Sequence, residues 1–70
     1  MTFPGIKAAV EDLVRKTSSQ RTRHIAGVEV QTTWFKASRS IGIFVQGRKV
    51  DDVEEAASLI WEMYRSSGLA

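Results

Sequence analysis

The residues best able to do chemistry in this chain are cations and aromatic rings. Arg15, Lys16, Arg21, Arg23, Lys36, Arg39, Arg48 and Lys49 fall between positions 15 and 49, with Glu29 the only acid among them. That local excess of seven positive charges contrasts with a net charge of +2 for the whole 70-residue chain. The compensating acids sit towards the two ends, at Glu11 and Asp12 and at Asp51, Asp52, Glu54, Glu55 and Glu62. A basic centre of this kind attracts phosphates or an acidic protein surface. Phe35 and Phe44 lie within it. Aromatic rings set among Arg, Lys and Gln can stack on bases while the cations meet phosphates.

Catalytic constellations are missing from the sequence. There is no Cys, which excludes disulfides, thiolate metal sites and Cys nucleophiles. His24 is the only His and has no neighbouring carboxylate cluster, so it builds neither a metal site nor a Ser–His–acid set. Positions 42–49 superficially match a phosphate-binding loop. However, Arg48 follows the second Gly, no Ser or Thr follows Lys49, and the segment alternates like a strand. No catalytic residue, metal or cofactor is therefore expected, and the protein is expected not to be an enzyme.

A chain of 70 residues makes one small domain, residues 1–70, and buries only about 60% of the surface its unfolded form exposes, leaving little room for a large cleft. Its 43% apolar and 26% charged residues suit a compact soluble fold. No apolar run approaches the ~18–20 residues that a membrane span needs, and no leader pattern opens the chain. The expected location is the cytoplasm.

The elements that must position the cations and rings follow from periodicity. Pro4 suits a first helical turn, and Ile6, Val10, Leu13, Val14 and Thr17 recur at helical spacing, predicting a helix from about Pro4 to Ser18. A second helix begins after Asp52, with Glu55 three residues on in a capping-box pattern and acids crowding the positive end of the dipole. Val53, Ala56, Ala57, Ile60, Met63 and Tyr64 form its apolar stripe, and Gly68 is placed to end it. The acid cluster is thus explained by capping.

Between the helices the period drops to two. Residues 25–36 and 41–45 read as antiparallel strands joined by a turn at Ala37–Ser40. With Lys36 facing Ile41, the pairs run Trp34 with Ile43, Thr32 with Val45, and Val30 with Gly47 on an apolar side. Phe35 with Gly42, Thr33 with Phe44, Gln31 with Gln46, and Glu29 with Arg48 fall on the other. Gln46–Gly47 either bulges or turns the chain into a third strand, Arg48 to Val50. Residues 20–26 either make a separate strand or cover the rings. The fold class is α+β: an N-terminal helix, a two- or three-stranded antiparallel meander and a C-terminal helix. Each helix has one apolar stripe, so both should cover one sheet face.

The order helix–strands–helix resembles that of double-stranded-RNA-binding domains. That family carries a Lys-rich cluster where this chain has Asp51, Asp52, Glu54 and Glu55, so none of its residues carries over. Residues 28–64 resemble the sheet-plus-helix DNA-binding domains of phage integrases, again without a shared motif.

The uncovered face is the expected site. Phe35, Phe44, Gln31, Gln46 and Arg48 lie on it, Arg39 in the adjoining turn, Lys36 and Lys49 at its margins, and Arg21 and Arg23 add to the basic surround. A small basic protein binding DNA or RNA through this face is expected. The alternative is an interaction module of phage or mobile-element type, a homodimer or an adaptor of a larger assembly, because exposed Phe marks an interface without naming the partner.

Overall fold

The computed structural model describes residues 2–66. Helix α1 spans Phe3–Lys16, strands β1 Gln20–Ile25, β2 Val28–Phe35, β3 Ser40–Val45 and β4 Arg48–Val50 follow, and helix α2 spans Val53–Ser66. The strands form one antiparallel sheet in the order β1-β2-β3-β4. The architecture is the expected α+β one, but the sheet has four strands, because both conditional segments pair.

Each helix begins where local chemistry dictates. Thr2 caps α1, its Oγ1 accepting from the Gly5 N–H at 3.2 Å, and Pro4 occupies the first turn. Asp52 Oδ1 accepts from the Glu55 N–H at 2.7 Å, and Glu55 Oε2 reaches back to the Asp51 N–H at 3.4 Å, a capping box displaced by one residue. The expected cap at Gly68 lies outside the described residues. The helices run antiparallel: Phe3 meets Trp61 edge-on at 6.5 Å, and Lys7 meets Glu54 at 3.6 Å.

Two hairpins close on two-residue turns. Ala26–Gly27 and Gln46–Gly47 both have positive φ at both positions, at 54° and 78° and at 52° and 81°. That backbone matches the right-handed twist of the flanking strands and is one that Gly adopts without strain.

Ile6, Val10 and Leu13 of α1 and Ala56, Ala57 and Ile60 of α2 share one core with Ile25, Val28, Val30, Ile43, Val45 and Val50 of the sheet. All of these strand residues lie on one face, as cross-strand pairing requires. Both helices therefore cover that face and leave the other open. Thr32 is fully buried among them, and its hydroxyl is hydrogen-bonded to that of Thr17, which also donates to the Leu13 carbonyl at 2.7 Å.

The faces are as expected, but the β2–β3 register differs by two residues. Trp34 pairs with Ile41, Thr32 with Ile43, Val30 with Val45, Thr33 with Gly42, Gln31 with Phe44, and Phe35 with Ser40. The four-residue turn is Lys36–Arg39, one residue earlier than expected, ending on Arg39 with φ 51°. Moving a loop of fixed length by one residue shifts the pairing by two and so preserves the faces.

Candidate nucleic-acid interface

The open face is built from alternate residues of four strands. One row crosses the whole sheet: Thr22 of β1, Gln31 of β2, Phe44 of β3 and Lys49 of β4. A neighbouring row holds Gln20, Thr33 and Gly42, and the next contains Phe35 and Ser40. At the other end His24 pairs with Glu29, the only acidic residue of the face.

The two rings are held differently. Phe44 is half-buried within its row, whereas Phe35 remains 38% exposed. Phe35 leans across the sheet onto Gly42, where any Cβ would collide with its ring. From the other side Lys49 Nζ stands 5.9 Å from the ring centroid, within range of a cation–π contact. The bare Gly42 thus seats the ring, and Lys49 sets a positive charge beside it. A shallow groove of about 430 Å³ adjoins this point, lined in part by Phe35, Ser40, Gly42 and Lys49.

Gln31, Phe35, Phe44 and Lys49 therefore share one surface. Lys36 and Arg39 occupy the exposed β2–β3 turn at its end, and Gln46 occupies the β3–β4 turn, where its N–H donates to the Glu29 carbonyl at 2.9 Å. Three residues of the expected site, Arg48 from the face and Arg21 and Arg23 from its basic surround, are not on this face. Arg48 pairs with Val45, not Glu29, and so lies on the helix side, because the Gln46–Gly47 turn makes Val45 its partner. Arg21 pairs with Thr32 and Arg23 with Val30, which places both on the helix side too. The segment carrying them extends the sheet instead of covering the rings. Thr22 was missed as a member of the central row, although the alternation leading to buried Ile25 places it on the open face.

Trp34 departs from its expected place in the core. It is 38% exposed and pairs with Ile41, not Ile43. Thr17, just past the end of α1, already meets Thr32, so Trp34, one repeat further along the same side, lies beyond that helix.

No protein-family model, no curated protein and no solved structure matches this chain. Among the described residues no helix is long and apolar enough to cross a membrane, and no group of three or more His, Asp or Glu is arranged to hold a metal ion.

Proposed function

We propose that the chain binds single-stranded nucleic acid on the open sheet face, with Phe35 and Phe44 as stacking platforms. The observation that carries this reading is Phe35 itself, seated on Gly42 beside Lys49 yet left exposed on a face that none of the described elements covers. Around the rings stand hydrogen-bonding groups, Thr22, Gln31, Thr33 and Ser40, and the cations Lys49, Lys36 and Arg39. A ring, an amide and an ammonium group suit a base, its polar edge and its phosphate respectively. The core of a homodimer interface is more apolar, about 65% by area, and a face with two rings among amides and hydroxyls does not resemble one. The cytoplasm is the compartment this reading implies.

Fluorescence anisotropy with labelled oligo(dT) and oligo(rU) at two salt concentrations tests it. The expected result is binding that weakens as salt rises, because phosphate contacts release counterions. Phe35→Ala and Phe44→Ala should each lower affinity by about 5- to 150-fold, corresponding to about 1–3 kcal/mol per stacked base. Absence of binding at low salt overturns the reading. Light scattering at twice the monomer mass, lost in Phe44→Asp, would replace it with self-association through the same face.

A further inference from the structure

Outside the open face, a dense cluster of charge lies where the last turns of α1 meet β1. Buried Ile25 sets the parity of β1, so Arg23 and Arg21 point towards the helix side. One carboxylate, Asp12, serves three cations there: Arg15 Nη2 at 2.9 Å, Lys16 Nζ at 3.1 Å and Arg23 Nη1 at 3.8 Å. Arg21 Nη1 donates to the Lys16 carbonyl oxygen at 3.3 Å. This bond places a positive charge on the helix end that would otherwise repel an anion. A groove of about 300 Å³ runs between the two elements, lined by Asp12, Leu13, Lys16, Arg21, Thr22 and Arg23. Four cations against one carboxylate leave three positive charges in excess. The side chains of Arg15, Lys16 and Arg23 are 79%, 59% and 51% exposed, so they remain open to a second anion.

We propose that this groove is a phosphodiester subsite, taking the backbone of the same single strand whose bases lie on the open sheet face. The proposal rests on that reading of the face and extends it to a second surface. Thr22 joins the two, because it lines the groove and also ends the row that runs through Gln31 and Phe44 to Lys49. Strands lie 4.7–4.9 Å apart, so that row is roughly 14 Å long. A short oligonucleotide fits along it, and a longer one passes over the β1 edge into the groove. The edge itself is protected from a second copy of the chain. Antiparallel pairing of β1 with another β1 about Thr22 would set Arg21 against Arg23 of the other chain.

The test compares oligonucleotides of two lengths, dT4 and dT12, with the wild type, Arg21→Ala/Arg23→Ala and Phe35→Ala/Phe44→Ala across a salt series. The arginine variant should bind dT4 within about twofold of wild type, because dT4 contacts only the face. Its affinity for dT12 should fall about tenfold at low salt. The slope of log K against log salt should become shallower by about 1.4, the value for two phosphates on a single strand. The phenylalanine variant should lose affinity for both lengths and keep the slope. Arg21→Lys/Arg23→Lys should keep the wild-type slope, since charge and not shape governs it. An unchanged dT12 affinity and slope in the arginine variant, with wild type binding normally, overturns the groove while sparing the face. If wild type binds no oligonucleotide, the reading of the face fails. The groove is then judged by NMR titration with tripolyphosphate. Amide shifts at Lys16 and Arg21–Arg23, abolished in the arginine variant, keep it as a phosphate site, and their absence overturns it.

Discussion

The two faces of the sheet are made by alternate residues of the same strands, yet they obey different rules. On the covered face Val30, Thr32, Ile43, Val45 and Val50 are all buried, and the one buried polar side chain there among the described residues, Thr32, is satisfied within the fold. On the open face Gln31, Thr33 and Phe44 stay half-buried, and Phe35 and Lys49 are exposed. Removing apolar area from water is the main force stabilising the first face. The second carries rings whose burial the fold leaves incomplete. The difference teaches that in a chain this short one face of the sheet holds the molecule together and the other stays open to solvent.

The largest expected effect separates these roles. Ile60→Ala, at a site with no exposure, should cost about 2–5 kcal/mol and leave much of so small a domain unfolded, read by urea denaturation. Phe35→Ala should cost under about 1 kcal/mol by the same measurement, because its ring is already partly in water. Equal costs for the two would erase the distinction between the faces.

The next effect probes the polar exception. The Thr17 hydroxyl donates to the Leu13 carbonyl, so the buried Thr32 hydroxyl must donate to Thr17. Thr17→Ala strands a buried donor and should cost about 2 kcal/mol, whereas Thr32→Val removes the donor itself and should cost about 1 kcal/mol. Thermal melts of the two variants check the order. Reversal would mean that Thr32 has another partner.

Smaller still is Gly42→Ala. The new methyl group would displace the Phe35 ring, an exposed side chain that is able to move, so stability should change by less than about 1 kcal/mol. Ring-current shifts of the Lys49 side chain, which depend on its place over Phe35, should collapse in NMR spectra. Unchanged shifts would show that Gly42 does not seat the ring.

The smallest effect lies at the rim of the covered face. Hydrogen bonds from Arg15 and then Lys16 hold the Asp12 carboxyl below its ordinary value of 3.8, against an opposing effect of burial. A carboxyl lowered in the folded state contributes stability that is fully present above the unfolded value. That share is lost as pH falls below 3.8 through the lower folded value. Melting temperature should therefore fall slightly less steeply in Asp12→Asn than in wild type over this acid range. Identical slopes would show that these ion pairs do not contribute.

Much of this was legible in the residues. Alternation assigned Thr32, Ile43 and Val45 to one side and Phe35 and Phe44 to the other, and Asp52 with Glu55 marked the start of α2. The register was not legible. Which residue ends the β2–β3 turn depends on Arg39 adopting a positive φ, and arginine carries no preference for it. The side taken by Arg48 followed from the same kind of ambiguity. Gln46–Gly47 reads equally as a bulge or a turn, and only the turn sets Arg48 opposite Val45.

What the amino-acid order determined by itself is local: helix caps, the two periods and the two faces, all consequences of backbone geometry acting within a few residues. Tertiary structure alone decided what each face meets. The 14 residues of α1 span about 21 Å and the 8 residues of β2 about 26 Å, so the strand outruns its cover and Trp34 stays at the surface. Arg23 likewise meets Asp12 only because α1 lies over the β1 edge, a juxtaposition of residues eleven positions apart that no periodicity encodes.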